Sequence, residues 1–258
     1  MLSTYASYAL ITRDMQKSID RVEKQPVVER ETKYYLENIS KVKSIEDLMA
    51  DDRLYRYAMK AHGLEDMAYA KAFIAKALRE GIDDRDSFAN KLSDKRYRDF
   101  VETFNFARHG KLATTFTRTQ QGTVDKYIRQ TLEENAGAQN EGVRLALYFQ
   151  RKAGSIKTFY DVLADPALGK VVRTALGLPD SLATADIDRQ VALFEQRLDI
   201  SDFQDAGKLS KFLVRFTSLW EVTNRTSPAQ LSASVLFGQP PEFGVSTDLL
   251  MTLQQMKR

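Results

Sequence analysis

The strongest constraint on this chain is an internal echo. The stretch from Ser44 to Asp66 returns without a gap as Thr158 to Asp180, 114 positions further on. Asp47, Ala50, Asp51, Leu54, Ala61, Gly63, Leu64 and Asp66 recur as Asp161, Ala164, Asp165, Leu168, Ala175, Gly177, Leu178 and Asp180, which is 8 identities in 23 positions. A sequence that repeats in this way folds as two copies of one unit, and the residues it keeps say what the unit is built from.

They are the residues of helix ends. Ser44-x-x-Asp47 and Thr158-x-x-Asp161 have the form of a capping box, in which the hydroxyl accepts from the amide three residues on and the acid reaches back. Asp51 and Asp165 read as N-caps of the next helix, with Pro166 at a first helical position where its missing donor costs nothing. Gly63 and Gly177, each followed by Leu, read as left-handed helix ends closed by a hydrophobic contact. Proline and glycine are sparse, at 6 and 12 in 258 residues, while Ala, Leu, Lys, Arg, Glu and Gln abound. The chain is therefore predicted to be all-α and multihelical, with two tandem repeats of about 110 residues. The expected layout is a first helical repeat with its leading helix over 1–110, then a linker, connecting helix and second repeat over 111–225, and an irregular tail over 226–258.

Tyr8, Ile11, Met15, Ile19 and Val22 fall three and four apart, predicting one amphipathic helix over 5–22 with Arg13, Lys17, Asp20 and Lys24 on its other side. That stripe either packs on its own domain or docks on a partner. Gln25-Pro26 interrupts it. A second helix is predicted over 28–42, with Tyr34, Tyr35, Leu36 and Ile39 inside; Tyr148 and Phe149 stand in register with Tyr34 and Tyr35. A helix over 67–79 follows, then a stop at Gly81-Ile82-Asp83 and a closing helix through Tyr97, Phe100, Val101, Phe104 and Phe106. The second copy answers with a helix over 186–197, Leu198-Asp199, and a closing helix through Leu209, Phe212, Leu213, Phe216, Leu219 and Trp220. Phe100 and Phe104 recur as Phe212 and Phe216, as core positions would.

Arg108 to Thr123 is polar, with five threonines, and reads as the linker. Val124, Tyr127, Ile128 and Leu132 then open a connecting helix that ends near Gly137. If this helix corresponds to the N-terminal one, the leading helices can pack on each other's copy. In the tail, Gly238, Pro240, Pro241 and Gly244 separate the apolar runs Val235-Leu236-Phe237 and Leu249-Leu250-Met251, which either wrap their own domain or serve a partner. Tyr8, Ile11, Met15, Leu236, Phe237, Leu249 and Leu250 are thus the candidate partner contacts.

Chemistry finds little footing. There is no cysteine, and the only two histidines, His62 and His109, stand 47 apart with no second ligand at metal-binding spacing. His62 precedes Gly63 and reads as a helix C-terminal cap. Asp51-Asp52 and Asp83-Asp84-Arg85-Asp86 sit where helices begin, a sufficient reason for aspartate. No phosphate loop, dinucleotide-binding glycine pattern, nucleophile elbow or calcium loop is present. No catalytic residue, cofactor or metal is therefore expected. A net charge of +3 is too small to argue for nucleic acid. No apolar run reaches the roughly 18 residues of a membrane span. The N-terminus lacks the basic start of a cleavable signal peptide.

Gln25-Pro-Val-Val-Glu-Arg-Glu-Thr-Lys-Tyr-Tyr35, Tyr57-Ala-Met-Lys-Ala-His-Gly-Leu-Glu-Asp66, Phe104-Asn-Phe-Ala107, Ala146-Leu-Tyr-Phe-Gln-Arg151 and Asp161-Val-Leu-Ala-Asp165 carry a further reading. Through these segments, over residues 1–225, the chain resembles an alphaproteobacterial family of unknown function that is often encoded among flagellar genes. The resemblance implies a multihelical fold made by duplication, a protein partner among flagellar components or assembly factors, and a cytoplasmic or flagellum-associated location. It brings no catalytic residue. The expectation is a non-enzymatic interaction or structural protein. Two alternatives stand beside it: a small-ligand binder or enzyme with its pocket between the copies, and a chaperone-like regulator that uses the tail.

Overall fold

The structure, a computed structural model, describes residues 2–224. Among these residues there is no strand. The first half holds α1 (Thr4–Arg13), α2 (Met15–Glu23), α3 (Pro26–Ile39), α4 (Ile45–Ala50), α5 (Asp52–Ala61), α6 (Lys71–Glu80), α7 (Phe88–Lys91), α8 (Lys95–Thr103) and α9 (Phe106–His109). The second holds α10 (Gln121–Gln139), α11 (Glu141–Lys152), α12 (Phe159–Leu163), α13 (Pro166–Ala175), α14 (Ile187–Glu195) and α15 (Ala206–Asn224), with short 3-10 turns between. The described residues up to Glu221 belong to one compact unit. Leu236, Phe237, Leu249 and Leu250 lie outside the described residues.

The same hydrogen bonds recur 114 residues apart. Ser44 Oγ accepts from the Asp47 amide (3.0 Å) while Asp47 Oδ2 accepts from the Ser44 amide (3.0 Å); Thr158 and Asp161 do the same at 3.2 and 3.0 Å. Asp51 Oδ1 caps α5 through the Arg53 and Leu54 amides, and Asp165 Oδ1 caps α13 through Ala167 and Leu168. The other carboxylate oxygen of each takes a phenol from the preceding long helix: Tyr34 donates to Asp51 (2.8 Å) and Tyr148 to Asp165 (2.6 Å). Gly63 (φ 70°) and Gly177 (φ 65°) close the two helices in the left-handed region. Leu64 N–H reaches Met59 O (2.8 Å) and Leu178 N–H reaches Arg173 O (2.9 Å), the long bond of a Schellman turn.

Two apolar cores lie side by side, and each borrows its leading helix from the other half. Tyr35, Leu48, Leu54, Met59, Phe100 and Phe104 form the first together with Val124, Tyr127, Ile128 and Leu132 of α10. Phe149, Phe159, Val172, Phe194, Phe203 and Phe216 form the second together with Tyr8 of α1. Accordingly α10 packs on α2 and α5, and α1 on α11. The interiors differ in kind. The first contains a stack of three tyrosines, with Tyr35 to Tyr57 at 4.4 Å and Tyr57 to Tyr127 at 3.9 Å. The second is phenylalanine-rich, with Phe149 edge-on to Phe203 at 5.0 Å.

Four expectations need correction. The single helix over 5–22 is two helices, because Asp14 turns out of the helical region (φ −142°, ψ 79°) and its carboxylate caps α2 at the Lys17 amide. The kink sends Tyr8 into the second core and Val22 into the first, with Ile11 and Met15 packed against both. Tyr8, Ile11 and Met15 therefore face the chain's own interior and are not left for a partner. Leu36, assigned to the inner face of α3, is 39 % exposed. The segment 108–123, expected as a linker or loop, is 3-10 and turn structure from Gly110 to Gln120, and Ala113, Thr114, Thr119 and Thr123 are buried within it, each threonine hydroxyl on a backbone carbonyl. Finally, the closing helix of the first half ends at Thr103, and α9 restarts under an Asn105 cap that takes the Arg108 amide.

Candidate interaction surface

Where the halves meet, α10 carries a charged network beside its apolar stripe. Glu133, 2 % exposed, accepts from Arg129 (3.2 Å) and Arg151 (2.7 Å). Arg129 also reaches Met15 Sδ (2.7 Å) and the Leu147 carbonyl (3.2 Å), so one carboxylate ties α2, α10 and α11 together. One turn away, His62 ends α5. Its Nδ1 faces the Ala58 carbonyl (2.9 Å), an acceptor that fixes the proton on Nδ1 and leaves Nε2 as a lone pair. Lys126 is exposed along its stem, but its ammonium turns back to donate to His62 Nε2 (3.0 Å) and Thr103 Oγ1 (3.1 Å). Burial, then the Lys126 charge, push the His62 pKa down to about 3; burial also holds Lys126 below the usual lysine range. His62 is thus a neutral acceptor and no general base at ordinary pH. Asp99, Glu102, Thr103, Arg118 and Lys126 line a crevice of about 320 Å³ beside it.

A larger opening lies in the second half, and its meaning comes from the first. There the space between Val42–Ser44 and the turn Gly81–Asp83 is crossed by the chain itself. Arg108 Nε donates to Asp83 Oδ2 (2.9 Å), and Thr114 Oγ1 donates to the Val42 carbonyl (2.7 Å). Ala107 lies so close to Gly81 that a Cβ on that glycine would stand 2.8 Å from its methyl group. Residues 105–114 form a cover.

In the second half α15 runs on to Asn224, the last described residue. Between Lys157–Tyr160 and Glu195–Asp202 lies a cleft of about 690 Å³. Its turn, Leu198-Asp199, stands where the first half has Ile82-Asp83. The Asp199 carboxylate accepts from the Ser201 amide (2.9 Å), and that backbone bond holds its pKa below the usual carboxylate range. Tyr160, 52 % exposed, is fixed through its hydroxyl by Asp188 (2.8 Å). The Ile156 carbonyl, counterpart of Val42, is already satisfied by Gln204 Nε2 (3.0 Å).

The structure places Ser44, Asp47, Asp51, Gly63, Asp165 and Gly177 on helix ends. Thr158 caps α12 and also lines the second-half cleft, and Asp161 additionally pairs with Lys95 of α8. Asp199, Tyr160 and Lys126 were missed by sequence reasoning. Asp199 had a signal, the alignment of Ile82-Asp83 with Leu198-Asp199; Lys126 meets its partners across 64 and 23 residues and had none. No group of three or more histidine, aspartate or glutamate side chains among the described residues is placed to hold a metal ion. No described helix is long and apolar enough to cross a membrane.

Residues 61–209 match the family model described as protein of unknown function, DUF1217. The crystal structure of a protein from Agrobacterium tumefaciens is similar over 86 % of this chain and 94 % of that one, with 55 % identity and a TM-score of 0.80. No curated protein matches.

Proposed function

Since the chain belongs to the DUF1217 family of proteins of unknown function, we propose that it is a non-enzymatic helical interaction protein that serves flagellar assembly or motility. One observation carries the interaction reading: the described residues leave a cleft of about 690 Å³ between Lys157–Tyr160 and Glu195–Asp202, while residues 105–114 bridge Val42 and Asp83 in the first half. A cleft of that size beside a stretch that elsewhere is bridged by chain is suited to receive a segment. The charged network around Glu133 supports a scaffold role, because it links α2, α10 and α11 to one another. The flagellar part of the reading rests on the resemblance of the sequence motifs to a family often encoded among flagellar genes.

The test is a clean deletion in a flagellated host that carries the gene, with swimming measured in soft agar and filaments counted by electron microscopy. Impaired swimming or fewer filaments, restored by the full-length chain, is the expected result. Normal swimming with normal filaments would overturn the flagellar assignment.

A further inference from the structure

Lys126 differs from the lysines that make ion pairs, such as Lys60 with Glu134 (2.7 Å) and Lys95 with Asp161, because its nitrogen meets only uncharged acceptors. We propose that Lys126 is an acyl-acceptor amine, modified by small anionic donors of the acyl phosphate class that enter the crevice lined by Asp99, Glu102, Thr103, Arg118 and Lys126.

The two acceptors fix the direction of the nitrogen. His62 Nδ1 donates to the Ala58 carbonyl (2.9 Å), so its Nε2 presents a lone pair; Thr103 Oγ1 spends its own proton on the Asp99 carbonyl (2.9 Å) and can only receive. Two N–H bonds of Lys126 therefore point inward, to His62 Nε2 at 3.0 Å and Thr103 Oγ1 at 3.1 Å. When the amine is neutral both inward places are still filled by N–H, because neither acceptor has a proton to give. Its lone pair is then left for the crevice of about 320 Å³. A nitrogen held in this way is oriented for attack on an electrophile.

The surrounding charges suit both the neutral amine and an anionic donor. Asp99 is taken by Lys152 (3.5 Å), and neither Asp99 nor Glu102 comes within ion-pair distance of Lys126. Burial above all, with Lys152 and Arg151 of α11, holds Lys126 below the usual lysine range against the opposing pull of Asp99 and Glu102. Arg118 on the same crevice is exposed, lies over the Phe116 ring at 5.0 Å and makes no ion pair among the described residues. Its guanidinium is thus available to a phosphoryl group.

In the step itself the neutral nitrogen attacks the acyl carbon and the bond from that carbon to the phosphate oxygen breaks. Phosphate leaves with the electron pair and takes the surplus proton from nitrogen. The amide N–H that remains is left to donate to His62 Nε2.

Acetyl phosphate is the probe. The full-length chain is treated to partial conversion from about pH 6.5 to 9.5, and acetylated lysines are quantified by peptide mass spectrometry. Lys126 is expected to react about fivefold or more faster than Lys17 and Lys111, two exposed lysines without an ion pair among the described residues, and its rate should rise at lower pH than theirs. Arg118→Gln, at an exposed position, should remove the preference for Lys126 with acetyl phosphate but keep it with uncharged N-hydroxysuccinimidyl acetate. Reaction of Lys126 no faster than that of Lys17 and Lys111, or with the same pH profile, would overturn the proposal. A preference seen only with the uncharged ester, or one for acetyl phosphate that Arg118→Gln leaves intact, would also overturn it, by removing the anionic donor.

Discussion

The two halves agree at their helix ends and differ in much of what those helices enclose. Ser44, Asp47, Asp51 and Gly63 make the bonds that Thr158, Asp161, Asp165 and Gly177 make, with the same partners counted along the chain. Yet Tyr35 and Tyr57 correspond to Phe149 and Val171, His62 to Leu176 and Ile19 to Glu133, and the described residues of the second half leave a cleft where those of the first bridge Val42 and Asp83. The comparison teaches that the frame and its use are separable. Capping residues specify where helices start and stop, and they tolerate large changes in what the helices enclose.

The sharpest way to break the comparison is at the junction. Position 19 is apolar in one leading helix and position 133 is a buried carboxylate in the other, where it satisfies two arginines. Glu133→Ala is expected to cost about 3 kcal/mol in denaturant unfolding, because it takes a buried carboxylate away from two partly exposed arginines. A loss under 1 kcal/mol would mean that the network is solvated and does not bind the halves.

Exchanging core residues comes next. Tyr35→Phe removes a hydroxyl that donates to the buried Thr119 carbonyl (2.6 Å) and should cost about 1–3 kcal/mol. Phe149→Tyr, which introduces a hydroxyl among Phe203 and Phe212, should also destabilise, by a comparable amount. If both changes are neutral in chemical denaturation, the interiors are interchangeable and their difference carries no meaning.

The shared turns give a smaller, matched pair. Gly63→Ala and Gly177→Ala should each cost about 1 kcal/mol and agree closely, since both glycines have positive φ and room for a methyl group. Gly81→Ala should cost clearly more, because the cover leaves only 2.8 Å to Ala107. Equal losses at all three positions would argue that residues 105–114 do not press on the first cleft.

The last contrast is silent at neutral pH and shows only in acid. The folded-state pKa of His62 lies near 3, far below that of an unfolded histidine. Below about pH 6.5 the unfolded chain therefore takes up a proton that the folded chain refuses. Stability that is complete above pH 6.5 is lost as the pH falls toward 3, by at most about 1.4 kcal/mol per pH unit. His62→Gln should flatten the stability profile in that window and nowhere else, which thermal melts from pH 7 to 4 would reveal.

The parts of this fold that were legible in the sequence are those made by neighbours in the chain. A capping box or a Schellman turn is decided within six residues, so Ser44, Asp51 and Gly63 announced themselves. The break at Asp14 did not, because an aspartate on the polar side of a helical pattern looks like surface until its carboxylate is seen on the Lys17 amide. The buried threonines of 108–123 read as a linker because their partners lie far off, at Val42 and Tyr35. The exchange of leading helices could be entertained only as a consequence of the repeat. The second-half cleft was illegible for the same reason as the cover: its counterpart is closed by contacts spanning 25 and 72 residues.

Site-specific photo-crosslinking inside the cell tests the central claim most directly. A photoreactive phenylalanine replaces Tyr160, at the second-half cleft, or Glu46, its counterpart 114 residues earlier beside the covered one. Residues 160 and 46 are both exposed, so access alone does not separate them. The account predicts a discrete crosslink to another polypeptide from position 160, lost with Gln196→Trp, a change that fills the cleft, and none from position 46. Crosslinks of equal strength from both positions, or none from 160 in cells that depend on the protein, would contradict it.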